Sequence, residues 1–153
     1  WRPRARAWMR RLDHSMIFVF IAASITPFAL LVVHGTLATI MLCIAWGGAL
    51  AGIILSLAWV GAPKWVTAAV YVGLGALGAI MAPQIWGSLG WLAFAGIALG
   101  GALYAAGAVI YATGRPDPAP SIFGYHEVFH SLVAGAAASH YAVIAFAVLP
   151  LAA

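Results

Sequence analysis

Apolar positions fill two long blocks of this chain. From His14 through Pro63, and again from Trp65 through Gly114, there is no Asp, Glu, Lys or Arg, and Lys64 alone separates the blocks. A membrane helix takes about 20 residues at about 1.5 Å rise, so each block is long enough for two crossings joined by a tight turn. Turn residues fall where such a reversal is needed. His34-Gly35-Thr36 interrupts the first block and Met81-Ala82-Pro83-Gln84 the second, each with a Gly or Pro that can redirect the backbone. A polar, proline-rich segment follows, Arg115-Pro116-Asp117-Pro118-Ala119-Pro120, and the uncharged run after Glu127 ends near Pro150. The pattern predicts an all-α integral membrane bundle of five transmembrane helices, near 14–34, 38–60, 65–82, 87–111 and 124–150, forming one transmembrane domain over 1–153.

Parity then sets a topology. The charged islands at 2–13, 64 and 115–127 are each two crossings apart and share one side, which carries all seven Lys and Arg residues. The positive-inside rule makes that side cytoplasmic and puts the 34–37 and 82–87 turns and the C-terminus outside. Six tryptophans, Trp1, Trp8, Trp59, Trp65, Trp86 and Trp91, lie near expected helix ends as an interfacial belt does, and Trp46 lies deeper. A bacterial-type plasma membrane is the expected location.

Composition narrows the classes further. With 65% apolar and 7% charged residues, against about 45–50% and about 25% in soluble domains, the chain is neither a soluble globular domain nor a disordered one. Its net charge of +4 comes largely from Arg2, Arg4, Arg6, Arg10 and Arg11 beside apolar runs, which reads as a membrane-facing island, not a nucleic-acid site. Cys43 has no second cysteine to pair with. A start at Trp1 with no signal-peptide pattern leads us to expect a truncated N-terminus. Gly48-x3-Gly52 and Gly96-x3-Gly100 predict close helix packing, and Pro27 after Thr26 predicts a kink in the first helix.

Ionisable groups within a bundle are costly and mark functional sites, so the short list of Asp13, His14, His34, His126, Glu127, His130 and His140 carries the chemistry. Asp13 opens the first expected helix on the basic side, and His126 and His130 open the last on that same side. Their i,i+4 spacing puts both imidazoles on one helix face within reach of one cation. Zinc is the metal such a pair suits, with three protein ligands and an open fourth position as the usual catalytic arrangement. The blander alternatives are that each histidine satisfies a nearby carbonyl and that Asp13 caps the first helix, with Ser15 competing for that role. His34 falls at the outer turn as a solvated residue. His140, about 15 Å beyond His130 along a helix, is expected to hydrogen-bond between helices.

Residues 126–130, His-Glu-Val-Phe-His, also match the H-E-x-x-H of zinc proteases, in which the Glu is the general base. An intramembrane zinc protease is therefore one reading, although Asp117 and Asp13 are the only aspartates available as a further ligand.

Two strings carry a family resemblance. Arg10-Arg11-Leu12-Asp13-His14-Ser15-x-Ile17 with Thr26-Pro27-Phe28, and Gly124-Tyr125-His126-Glu127-Val128-Phe129-His130 with His140-Tyr141, resemble the hemolysin III and progestin/adiponectin receptor family across nearly the whole chain. The resemblance aligns this sequence with the last five of that family's seven membrane helices. It implies a zinc ion near the cytoplasmic face, with His126 and His130 as ligands and Asp13 holding the zinc-bound water. It also implies that a further histidine ligand and the serine preceding it belong upstream of Trp1, so that the stretch from Trp1 onward holds zinc weakly or not at all.

Two classes of function follow. One is a zinc-dependent hydrolase of lipid amides, with ceramide-type amides implied by the resemblance, in which Asp13 orients water or takes its proton. The other is a receptor-like, pore-associated or membrane-homeostasis protein in which zinc only ties helices together. Membrane lipids are the expected partners in both.

Overall fold

The computed structural model describes residues 3–59 and 63–152, leaving out the side chains of 3–7, 10 and 152. Trp1 and the side chains of Arg2, Arg4, Arg6 and Arg10 in the basic island thus lie outside the described residues. All regular structure among the described residues is helical: α1 Pro3–Leu31, α2 Thr36–Ala58, α3 Lys64–Gly75, α4 Leu77–Thr113 and α5 Tyr125–Val143. The last continues as a π turn over Ile144–Val148 and a 3-10 turn over Leu149–Ala152.

α1 begins well ahead of the expected start at 14. Pro3 suits a first helical turn, and the Arg and Ala residues after it are good helix formers, so helix continues through the basic island. Asp13 is therefore inside α1 and does not cap it. The helix also runs through Pro27 to Leu31, with Thr26 Oγ1 donating to Ala22 O at 2.8 Å. Trp46, the deep tryptophan, donates its indole N–H to the same Thr26 hydroxyl at 3.1 Å, joining α2 to α1.

Among the described residues four stretches, not the expected five, are long and apolar enough to cross a membrane: Arg11–Leu31, Thr36–Ala58, Lys64–Thr113 and Tyr125–Leu151. The difference lies in the third. Pro83, expected in a turn at 82–87, sits inside α4, since loss of one N–H is tolerated in an apolar helix whose neighbours re-satisfy the backbone. The helical geometry breaks instead at Gly90, with φ 78° and ψ −179°, a conformation open essentially to glycine alone. The two ends of this 50-residue stretch meet. A Cβ on Gly114 would stand 4.0 Å from Lys64 Nζ, and Tyr71 and Tyr111, one from each limb, both hydrogen-bond His14. At the far end the backbone N–H of His34 donates to Gln84 Oε1 at 2.9 Å.

α1 packs chiefly on α2, α3 folds back on α4, and α4 packs along α5; α1 touches α5 only lightly. Phe18, Met81, Ile85 and Phe129 are among the most deeply buried side chains. The predicted small-residue approaches are present: Cβ atoms at Gly48 and Gly52 would strike Leu74 and Phe18, and those at Gly96 and Gly100 would strike Val143 and His140. Outward, large apolar side chains such as Leu92 and Phe146, 69% and 83% exposed, make a surface suited to lipid. Trp8, Trp59, Trp65, Trp86 and Trp91 are all exposed.

Candidate metal centre

The loop before α5 fixes the turn that carries the first histidine. Glu127 Oε2 accepts the Gly124 N–H at 2.9 Å, the backward half of a capping box. Asp117 Oδ1 accepts the Tyr125 N–H at 2.9 Å. The two carboxylates converge on Gly124, where a Cβ would come within 2.7 Å of Asp117 Oδ1. Lys64 Nζ donates to Tyr125 Oη at 2.7 Å, tying the start of α3 to the same turn.

One turn of α5 separates His126 from His130, and their rings stand 4.6 Å apart. Phe129, 2% exposed, lies inward of both, its ring 5.0 Å from that of His130 and 6.2 Å from that of His126. From α1, Asp13 meets this pair: Oδ2 is 3.1 Å from His130 Nε2 and 3.5 Å from His126 Nε2, and the two Nε2 atoms are 3.2 Å apart. All three side chains are about one-third exposed. Sequence depth and i,i+4 spacing thus picked out three residues that the fold does bring together.

Among the described residues, Asp13, His126 and His130 form the one group of such donors able to hold a metal ion. The donor triangle fits a small tetrahedral cation, because bond lengths of about 2.0–2.2 Å give tetrahedral edges of about 3.3–3.6 Å. Two neutral imidazoles and a carboxylate are a donor set zinc accepts, and three donors leave a fourth position open. The Asp13 oxygen stands 3.1 and 3.5 Å from the two histidine nitrogens, which are 3.2 Å from each other, so its geometry is that of a ligand as readily as that of a group holding water.

Glu127 stands differently. Its Oε2 accepts the Gly124 N–H and so caps α5, and it stands outside the donor cluster, as the Glu of H-E-x-x-H does in zinc proteases. His34 has an exposed side chain at the far turn. His140 Nε2 donates to Ile97 O at 3.2 Å, linking α5 to α4 away from the cluster.

Behind Asp13 stand His14, which the sequence marked as ionisable, and two tyrosines that it did not mark. His14 Nε2 lies 2.7 Å from Tyr111 Oη, its Nδ1 lies 3.9 Å from Asp13 Oδ2, and Tyr71 Oη donates to His14 O at 3.2 Å. Both tyrosines sit in apolar runs with no local mark. Their only signal is depth, since each lies within about two turns of the basic end of its limb.

The model of the haemolysin-III related family matches residues 1–141. The chain belongs to the haemolysin-III related family. Among this family member's curated relatives, the Hemolysin-3 homolog of Bacillus subtilis (strain 168) is 33% identical over 135 residues, covering 88% of this chain and 61% of that protein. Hemolysin-3 of Bacillus cereus is 28% identical over 154 residues, covering 98% of this chain and 66% of that protein. This haemolysin-III related chain thus spans less than two thirds of either relative's length. No solved structure matches it. Family membership and the four apolar stretches together make it a multi-pass integral membrane protein.

Proposed function

We propose that this haemolysin-III related protein is a zinc-dependent hydrolase of lipid amides, with zinc held by His126, His130 and Asp13. The observation that carries this reading is the three-donor cluster with sides of 3.1, 3.2 and 3.5 Å. When bound, zinc supplies a Lewis acid and an acidified water. The chain's own groups supply the rest. His126, His130 and Asp13 Oδ2 would hold the ion, and the second carboxylate oxygen of Asp13, partly exposed at the site, would hold a water molecule or accept its proton.

Inward from Phe129 lies an apolar cavity of about 380 Å³, bordered near the site by Ile17, Tyr71 and Ala108 and farther in by Ile85 and His140. Such a volume with few polar groups is of the kind that takes an apolar ligand. An alkyl chain is the kind of ligand this cavity suits, and ceramide-type amides are the substrate class we favour. In this reading the basic end faces the cytoplasm of a plasma membrane, and the fold-back at Gly90 makes five crossings from four apolar stretches.

A second reading rests on the light contact between α1 and α5. Zinc bridging Asp13 to the histidine pair would hold these helices together without turnover, in a receptor-like, pore-associated or membrane-homeostasis role.

Elemental analysis of the purified chain, paired with hydrolysis of a fluorescent ceramide in lipid nanodiscs, tests both. The expected result is weakly held zinc that disappears in a His126→Ala/His130→Ala variant, and turnover that falls at least tenfold in Asp13→Asn but persists in Glu127→Gln. Zinc without turnover in any lipid amide favours the bridging role. No zinc in the wild-type chain defeats both readings, and loss of ceramide turnover in Glu127→Gln with zinc retained would move the proton-accepting role from Asp13 to Glu127.

A further inference from the structure

The two halves of the donor cluster come from helices that scarcely pack together, so something else must set the distance between them. Tyr111, on the second limb of α4 and 8% exposed, touches both halves. On one side its hydroxyl lies 2.7 Å from His14 Nε2, the residue next to Asp13. On the other its ring lies 5.2 Å from the ring of Phe129, which is itself packed against His126 and His130. Tyr71 adds a second restraint on the same residue of α1, donating to His14 O and stacking on Phe18 one turn on, with ring centroids 4.6 Å apart.

We propose that Tyr111 is a positioning residue of the metal centre, its hydroxyl fixing the His14–Asp13 segment of α1 at the height that its ring sets for the histidine pair on α5. This rests on the metal-binding reading and deepens it. With the phenol donating to His14 Nε2, the neutral imidazole carries its proton on Nδ1, the nitrogen that faces Asp13 Oδ2 at 3.9 Å. The Asp13 carboxylate then sees the positive end of an N–H bond, an attraction through space at a distance too long for a hydrogen bond. Groups that orient a metal ligand in this way typically change metal affinity by about 10–100-fold.

Replacing Tyr111 with Phe keeps the ring against Phe129 and removes only the hydroxyl. The test is a double-mutant cycle on the full chain with Co2+ as the probe, following affinity and the visible absorption bands that report its ligands. Tyr111→Phe is expected to bind Co2+ at least tenfold more weakly, with bands shifted toward those of Asp13→Asn. Adding Tyr111→Phe to Asp13→Asn is expected to change nothing further, because the hydroxyl acts through that carboxylate. An equal loss in both backgrounds, or unshifted bands and unchanged affinity, would overturn the positioning role while leaving the metal centre intact. Absence of Co2+ binding by the wild-type chain overturns the metal centre itself, and this role with it. A Tyr111→Leu variant, which also removes the ring, is expected to bind more weakly than Tyr111→Phe; equal binding would show that the ring sets no distance.

Discussion

Gly52 shows how tightly single residues are constrained where α2 crosses α1. A Cβ there would meet three atoms of the Phe18 ring at 2.5–2.6 Å, and Phe18 is fully buried with the Tyr71 ring centroid 4.6 Å from its own. The ring has nowhere to go. Gly52→Ala is therefore expected to cost about 1–3 kcal/mol, as overpacking of a filled core does, and to lower the Tm in detergent by several degrees. Gly47, in the same helix, is the control, since a Cβ added there would have nothing within 4 Å. Gly47→Ala should leave the Tm unchanged or raise it, because Ala favours helix over Gly by up to about 1 kcal/mol. A Tm unchanged in both variants would mean that the α1–α2 contact is looser than the packing shows. The same scale explains what could be read of the site. Asp13, His126 and His130 stood out because ionisable groups are rare in apolar runs and these three share a depth. Tyr111 and Tyr71 did not, because a tyrosine in an apolar run is usually packing, and only the folded contacts reveal a hydroxyl turned to His14.

Among the elements, α4 departs furthest from the hydropathy pattern. The pattern counts residues and turn formers, and it weighted Pro83 as the breaker because proline disrupts helices in water. Inside an apolar bundle a missing N–H is less disruptive than an open loop, so the helix passes Pro83 and reverses at Gly90. Trp86 and Phe94 pack edge to face across that point, with ring centroids 5.0 Å apart. At φ 78° and ψ −179°, Gly90→Ala is expected to cost about 1–3 kcal/mol in backbone strain. Because a Cβ there would touch nothing, the loss owes nothing to crowding. Thermal unfolding of Gly90→Ala beside Gly87→Ala, a helical neighbour with equally open surroundings, separates the two causes. A loss at Gly90 alone locates the reversal there; equal stability of both variants would place it elsewhere. The early start of α1 has a similar origin, since a basic island read as a membrane-surface segment is also a good helix sequence, and charge pattern cannot tell these apart.

At the scale of the molecule, the contacts define two ends. Asp13, Lys64, Tyr111 and the 125–130 turn gather at one, and the backbone of His34 meets Gln84 at the other. This two-ended arrangement was legible in the sequence because charge islands spaced by even numbers of crossings must share a face, whichever residue makes each turn. Which face meets the cytoplasm is a matter of charge, since Lys and Arg near helix ends resist translocation. With Cys43 replaced by Ser, single cysteines at Arg115 and Ser121, both exposed in the loop before α5, should resist a membrane-impermeant maleimide on intact cells and react once the cells are opened. Single cysteines at His34 and Ser88, exposed at the far end, should react on intact cells. The reverse pattern would put the Asp13, His126 and His130 cluster on the outer face, so that any lipid amide it acted on would have to come from the outer leaflet. Labelling of all four from outside would contradict the two-ended arrangement, because sites about 30 Å apart along membrane helices cannot share one surface while the helices between them cross the bilayer.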